Sequence, residues 1–207
     1  SACGVCAADQ NIFAWKEHMQ KYMADALPVT IGHEIVGEVV AVGDGVTGVE
    51  SGTRVVVEPN LPCWRCIYCV QGRTNLCRQK KQILGVTVNG GMAEYAAVPV
   101  SNVFQVPSNI SDVEAPLLET LGVGIHALEQ APVFPGQSAV IVGAGPVGLL
   151  LLQAVKAAGA FPIIVTGSSR SSTRLSLAQS LGADLALVSD DATVSQVRAR
   201  THGLGAD

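Results

Sequence analysis

Four closely spaced cysteines constrain this 207-residue chain more than any other feature of its sequence. They are Cys63, Cys66, Cys69 and Cys77, at spacings C-x2-C-x2-C-x7-C. Thiolates are preferred ligands of Zn²⁺, and four of them close its tetrahedral shell, so such a site is structural. Disulfides or free thiols are the alternative, but three cysteines this close together leave too little room for two unstrained bridges. We therefore predict a structural zinc, whose binding free energy of about 10–16 kcal/mol rivals the net stability of a whole domain.

The composition indicates a globular protein and excludes some classes of partner. With 48% hydrophobic and 14% charged residues, the chain has enough apolar material for a buried core. The net charge of −4 and the lack of a Lys/Arg cluster predict no nucleic acid and no membrane as partner. Because metal ligation requires reduced thiols, the six cysteines predict a cytoplasmic location.

Short β-rich runs separated by turns characterise the first half of the chain, from residue 31 to about residue 107. They predict a small barrel or sandwich. The runs are Ile35–Val42, Arg54–Glu58, Ala93–Val100 and Val103–Pro107. A capping box at Ser111-Asp112-Val113-Glu114 then predicts a helix that extends towards Gln130 and ends before Pro132 and Pro135.

After these prolines the pattern changes to alternating strands and helices. The predicted elements are strand Ser138–Val142, helix Pro146–Ala158, strand Pro162–Thr166, helix Ser172–Leu181 and strand Leu185–Val188. This βαβαβ order is the first half of a doubly wound parallel sheet. We therefore predict two domains, 1–131 and 132–207. Because Ser1 is not an initiator Met and Asp207 stands where a strand should follow, we expect a chain truncated at both ends.

A glycine-rich turn after the first of these strands predicts a nucleotide site. Gly143-Ala144-Gly145-Pro146-Val147-Gly148 follows a strand and opens a helix, the context in which G-x-G-x-x-G is informative. Gly143 permits the sharp turn, Gly145 lets the backbone approach a pyrophosphate, and Gly148 lets helix and strand pack closely. The helix then begins with Pro146 and Val147, and its free N–H groups face the phosphates. A turn that is merely rich in glycine is the alternative.

The end of the second strand predicts which coenzyme is preferred. An Asp or Glu there would bind the adenosine ribose of NAD, but the sequence reads Gly167-Ser168-Ser169-Arg170. Small residues leave room for a 2′-phosphate, and hydroxyls with the Arg170 guanidinium suit its binding. We therefore expect NADP(H) to be preferred over NAD(H).

A second set of metal ligands is scattered along the first half. Cys6, His33 and Glu34 supply a thiolate, an imidazole and a carboxylate, the mixture found where zinc keeps one position open. Asp9 is placed to accept the outer N–H of the histidine. A single cysteine is usually a core residue, and a single His-Glu pair or aspartate usually lies on the surface. In one chain with a zinc motif and a nucleotide turn, however, these residues predict a catalytic zinc.

Taken in order, the motifs resemble those of the zinc-containing medium-chain alcohol dehydrogenase family, and most closely its sorbitol/polyol and threonine dehydrogenase branch. The motifs are C-G-V-C-x-x-D, G-H-E, the four-cysteine run, G-G-M-A-E-Y, E-T-L-G-V-G-I-H-A and G-A-G-P-V-G, and they span essentially all 207 residues. The resemblance implies a GroES-like catalytic domain, a Rossmann coenzyme domain and a cleft between them. It also implies hydride transfer between a secondary alcohol and a nicotinamide cofactor, catalysis at Cys6, His33 and Glu34, and a homo-oligomer at full length. Glu119 matches a glutamate that faces the catalytic metal or its water.

Three positions depart from the family pattern. Ala7-Ala8 replaces a pair whose hydroxyl passes the substrate proton outward, so Ala8 cannot relay a proton. Thr120 replaces a proline and Thr53 an aspartate. Three alternatives therefore stay open: a non-catalytic zinc-binding fragment, a zinc-free medium-chain reductase relic, and a thiol redox pair in Cys3-x-x-Cys6.

Overall fold

The computed structural model describes residues 1–79 and 82–207. The chain forms two compact units, Ser1–Glu119 and Thr120–Asp207. The boundary between the two units falls inside a helix, earlier in the chain than the domain boundary that was predicted near Pro132. The domain limits 1–131 and 132–207 therefore stay a prediction. No helix of the described ranges is both long enough and apolar enough to span a membrane.

The first unit is built on an antiparallel sheet. Its elements are β1 (Ala2–Gly4), α1 (Ala7–Phe13), α2 (Glu17–Met23), β2 (Glu34–Glu38), β3 (Arg54–Val57), β4 (Asn60–Leu61), α3 (Ile67–Val70), β5 (Gln82–Ile83) and β6 (Val103–Gln105). The four-stranded sheet has the order β1-β2-β3-β6, and β4 pairs with β5. Gly4 lies opposite Glu34 in the β1–β2 ladder. Alternate side chains of a strand face one side of the sheet, and Val55 and Val57 are accordingly buried in the core.

In this unit one predicted strand is absent, one predicted helix begins later than expected but ends at Gln130 as predicted, and two helices were not predicted. Ala93–Val100 forms no strand: most of its residues are exposed, and strand-forming side chains need a pleated, half-buried surface to pack on. The capping box does form, since Glu114 Oε2 accepts the Ser111 N–H at 3.0 Å. It opens turns rather than a helix, because Pro116 has no N–H to continue the helical bonding. Helix α4 begins at Leu117 and ends at Gln130. Helices α1 and α2 were not predicted.

The second unit has the predicted βαβαβ order. After the second half of α4 come β7 (Ala139–Val142), α5 (Pro146–Ala157), β8 (Ile163–Gly167), α6 (Ser172–Leu181), β9 (Leu185–Val188) and α7 (Thr193–Arg200). The three strands are parallel, in the order β7-β8-β9. Ile163 and Val165 of the central strand and Leu152 of α5 are at most 1% exposed and form the centre of the core. A continuous apolar strand covered by helices explains why this half could be predicted closely.

Candidate metal sites and nucleotide turn

Cys6, His33 and Glu34 come together in the first unit. Each offers one ligand atom, and these atoms all lie within 4.8 Å of one another. The antiparallel pairing of β1 with β2 causes this, because Cys6 follows the end of β1 while Glu34 begins β2. His33 and Glu34 are buried and Cys6 is half-buried. This group is called the three-ligand site below.

Asp9 lies beside two members of the three-ligand site, and its predicted role towards His33 stays a prediction. It is 2% exposed, and its Oδ2 accepts the backbone N–H of Cys6 at 2.9 Å. Its Oδ1 lies 3.5 Å from His33 Nδ1, close enough for an ion pair, and neither atom has a hydrogen-bond partner in the described part of the chain. A proton on Nδ1 would face this carboxylate and leave the Nε2 lone pair for a metal. The donor set and this paired imidazole fit a zinc ion that keeps one position open.

A set of glycines holds the segment that leads into His33. Gly90 N–H donates to Thr30 O at 2.8 Å, which ties the two loops together. A Cβ added to Gly85 or Gly90 would overlap the backbone of Gly32, so only glycine permits this approach. This packing was not predicted from the sequence, although the adjacent glycines of the G-G-M-A-E-Y motif indicate it.

Helix α1 changes the interpretation of the Cys3-x-x-Cys6 pair. No helix beside this pair was predicted from the sequence. In the structure, Cys6 is the N-cap of α1, and its side chain and Asp9 form a capping box. Burial, together with the charges of Asp9 and Glu34, raises the pKa of the Cys3 thiol to about 11. Cys3 is therefore a neutral thiol at pH 7 and a poor nucleophile, which argues against a redox pair. Ala8 lies in the first turn of α1 and carries no hydroxyl.

Glu119 lies in the first turn of α4 and is half-buried. It is not among the residues whose ligand atoms form the three-ligand site. Its assignment to the catalytic metal or its water stays a prediction.

The four cysteines of the predicted structural site also come together. The sulfurs of Cys63, Cys66, Cys69 and Cys77 lie within 4.8 Å of one another, and this group is called the cysteine lobe below. All six cysteines lie in the described ranges and are free. Cys63 Sγ is 3.9 Å and Cys66 Sγ is 3.5 Å from Cys69 Sγ. Zn–S bonds of about 2.3 Å in a tetrahedron separate sulfurs by roughly 3.8 Å, so the lobe fits zinc rather than disulfides.

The surroundings of the cysteine lobe stabilise a thiolate. Hydrogen bonds from the backbone of Arg78 and then of Cys69 lower the pKa of Cys66 to about 6. Burial, reinforced by the neighbouring thiol of Cys66, raises the pKa of Cys69 to about 12. Without metal, the lobe therefore holds a thiolate beside a thiol at pH 7, and a zinc ion must displace the proton of Cys69 to bind all four sulfurs.

The glycine turn of the second unit has the geometry that its sequence predicts. Gly143 has φ +113°, in the left-handed region that favours glycine. A Cβ on Gly148 would overlap the carbonyl oxygen of Gly143, whereas a Cβ on Gly145 would meet nothing within 4 Å. Gly145 is the N-cap of α5 and Pro146 its first residue. The turn thus leaves open space beside free helical N–H groups, which suits a bound pyrophosphate.

In the loop after β8, one of the predicted coenzyme residues is joined by a chain of hydrogen bonds to two neighbours. Gly167 is buried, while Ser168, Ser169 and Arg170 are exposed. Ser168 Oγ lies 3.3 Å from Ser171 Oγ, which also accepts a hydrogen bond from Arg174 Nη2 at 3.2 Å. Neither Ser171 nor Arg174 was among the residues predicted from the sequence. In the sequence, Arg174 follows Arg170 by about one helical turn, and this spacing is the signal that could have indicated it.

Two clusters of metal-donor side chains in a unit built on an antiparallel sheet, followed by a parallel βαβ unit with a glycine turn, are typical of a metal-binding, dinucleotide-binding class of protein. Two family models place the chain within that class. Residues 1–108 match the alcohol dehydrogenase GroES-like domain, and residues 146–207 match the zinc-binding dehydrogenase model. The chain belongs to the zinc-containing medium-chain alcohol dehydrogenase family, and the predicted family and fold class are confirmed.

Known relatives are longer than this chain, which spans less than two thirds of their length. It is 40% identical over 207 residues to L-threonine 3-dehydrogenase of Pyrococcus furiosus, in a match that covers 100% of this chain and 58% of the relative. Galactitol-1-phosphate dehydrogenase from Escherichia coli is a similar structure, with 31% identity, a TM-score of 0.81, and coverage of 98% and 56%. A putative zinc-binding dehydrogenase from Sinorhizobium meliloti, bound to NADP, has 32% identity, a TM-score of 0.84, and coverage of 99% and 56%.

Proposed function

We propose that this chain carries the zinc centre and part of the coenzyme site of an oxidoreductase that transfers a hydride between a secondary alcohol and NADP or NAD. The observation that carries the proposal is the convergence of Cys6, His33 and Glu34 within 4.8 Å. Three protein ligands leave one position for the substrate oxygen. When bound, zinc supplies a Lewis acid that polarises this oxygen, and the nicotinamide donates or accepts the hydride.

The residues of this chain have distinct roles in the proposal. Cys6, His33 and Glu34 hold the catalytic ion, and Asp9 fixes the orientation of His33. The cysteine lobe holds a second, structural ion. Because Ala8 offers no hydroxyl, the substrate proton leaves through water or through a hydroxyl of the substrate itself.

The coenzyme proposed is NADP(H) in preference to NAD(H). Gly167 supplies no carboxylate for the adenosine ribose, and a Cβ there would already lie 3.4 Å from Ser171 Cβ and Leu175 Cδ2. Ser168, Ser169, Arg170 and Arg174 supply hydroxyls and two guanidinium groups that suit a 2′-phosphate. Dissociation constants of NADPH and NADH, measured on the protein, decide this, and tighter binding of NADH contradicts it.

The substrate proposed is a secondary alcohol that carries a neighbouring polar group. The curated relatives include L-threonine 3-dehydrogenases, and one structural neighbour is a galactitol-1-phosphate dehydrogenase. Threonine and galactitol 1-phosphate each contain a secondary alcohol beside a carbon that carries an amino or hydroxyl group. A screen of threonine and polyols with each coenzyme tests the proposal, and turnover of simple alcohols alone contradicts it.

A non-catalytic zinc-binding protein is the second candidate, and the missing hydroxyl at Ala8 favours it. Metal analysis separates this candidate from the zinc-dependent dehydrogenase. Two zinc ions per chain, one of them removed by mild chelation without unfolding, support the dehydrogenase. One ion held only by the cysteine lobe supports a non-catalytic role. We further propose domain limits of 1–131 and 132–207, a cytoplasmic location consistent with the free thiols, and a homo-oligomer for the whole protein.

A further inference from the structure

A glycine of β1 lies against the carboxylate of Glu34. Gly4 is the direct partner of Glu34 in the antiparallel ladder. A Cβ built on Gly4 would overlap Glu34 Oε2, and would lie 2.9 Å from Glu34 Cβ and 3.0 Å from Glu34 Cδ. The Glu34 side chain therefore occupies the volume that any side chain at position 4 would need.

The backbone of Gly4 does not itself require glycine. Gly32 and Gly85, in the neighbouring loops, have positive φ angles of 95° and 74°, but Gly4 is not among the residues with positive φ. A glycine inside a strand weakens it and commonly marks a place where another group approaches closely. The approaching group here is the buried carboxylate of Glu34.

We propose that Gly4 is a positioning residue of the three-ligand site: its missing side chain lets Glu34 fold back across β1 towards Cys6 and His33. Gly4 precedes Cys6 by two residues, so one short segment supplies the thiolate and clears the space for the carboxylate. The inference deepens the proposed function, on which it rests for the identity of the site as a zinc site.

Gly37 provides a matched control on the same sheet. It lies in the interior of β2, and a Cβ there would meet only Ser1 N at 4.0 Å. Gly37→Ala therefore makes the same chemical change in a paired strand of the same sheet without touching Glu34.

The test compares Gly4→Ala, Gly37→Ala and the unchanged protein by zinc content and by titration of the metal-free protein with Co²⁺. Thiolate-to-cobalt absorption distinguishes the four-sulfur lobe from the one-sulfur site. We expect Gly4→Ala to lower Co²⁺ affinity at the three-ligand site about tenfold or more, the scale of changes beside metal ligands. The lobe of Gly4→Ala and both sites of Gly37→Ala should be unchanged. Unchanged affinity in Gly4→Ala overturns the proposal, and so do equal losses at both sites in a Gly4→Ala protein that unfolds at the same temperature as the unchanged protein.

A second pair of variants decides the result if Gly4→Ala folds poorly. In a Glu34→Ala background the carboxylate is gone. Adding Gly4→Ala there should lower the unfolding midpoint and the metal affinity of the cysteine lobe far less than Gly4→Ala lowers them alone. An equal cost in both backgrounds overturns the proposal. If the unchanged protein binds only one zinc ion, the proposed function fails. The difference between the effects of Gly4→Ala on the unfolding midpoint in the two backgrounds then still tests whether Gly4 makes room for Glu34.

Discussion

The two candidate metal sites of the first unit differ in how the chain builds them. The cysteine lobe uses one short segment with helix α3 and a 3-10 turn at Thr74–Leu76, so its geometry is nearly local. The three-ligand site joins the end of β1 to the start of β2 and needs the strand pairing and the glycine packing around Gly32. A local site stabilises its own segment when it binds metal, whereas a distributed site depends on a fold that already exists. The two should therefore respond differently to the same chemical change.

Replacing one cysteine in each site tests this difference most strongly. Cys66→Ser removes one of four ligands from a structural site, and part of a zinc binding free energy of about 10–16 kcal/mol is then lost from folding. We expect the free energy of unfolding to fall by several kcal/mol. Cys6→Ser should empty the three-ligand site with a much smaller loss of stability. Zinc content and thermal unfolding of both variants measure this, and equal stabilities would remove the distinction between the sites.

Zinc binding to the cysteine lobe should release protons, so the zinc affinity of the lobe should depend on pH. Cys69, whose pKa burial raises to about 12, is a thiol throughout the range from pH 6 to 8, and it must lose its proton to bind zinc. Each proton released raises the affinity about tenfold per pH unit, so lobe affinity should rise about 100-fold or more from pH 6 to pH 8. Competition with a chromophoric chelator measures the slope.

A matched variant tests the assignment of that proton. Cys69→Ser should bind zinc more weakly and release one proton fewer, which lowers the slope by about one. Cys66, whose pKa the backbone hydrogen bonds of Arg78 and Cys69 lower to about 6, contributes little to the slope above about pH 7. An unchanged slope in Cys69→Ser would show that another group supplies the proton.

Asp9→Asn is expected to act on the three-ligand site alone. The amide oxygen can still accept the Cys6 N–H, but the carboxylate charge opposite His33 Nδ1 is lost. Loss of such a partner lowers metal affinity about 10–100-fold. Co²⁺ titration should show this loss with the cysteine lobe unaffected. Asp9→Ala, which also removes the capping bond of α1, should in addition destabilise the protein by about 1 kcal/mol. Normal cobalt binding by Asp9→Asn would exclude the role given to this carboxylate.

The same contrast explains what the sequence could and could not predict. The cysteine lobe and the glycine turn are each encoded by spacing within one short segment, and β8, which begins with three apolar residues, could be recognised as a buried strand. Helix α1 was missed because it is short and capped by Cys6, a residue type that is not a usual N-cap. The run Ala93–Val100 has strand composition but no packed surface, which composition cannot reveal. The convergence of Cys6 with His33 depends on strand pairing and was inferred from ligand chemistry and family resemblance.

Cys3→Ser should have the smallest effect, and it tests whether proximity alone recruits a thiol to the distributed site. Cys3 lies near Asp9 and Glu34, whose charges help raise its pKa, yet its sulfur is not part of the three-ligand site. Its thiol lies 3.6 Å from Gly4 O, and a serine hydroxyl can also bond to this oxygen. We therefore expect Co²⁺ affinity to change by less than about twofold at either site, since no ligand and no partner of a ligand is removed. A tenfold loss at the three-ligand site would mean that Cys3 can exchange with Cys6 as a ligand, and the site would then be less strictly fixed by its fold than the β1–β2 pairing implies.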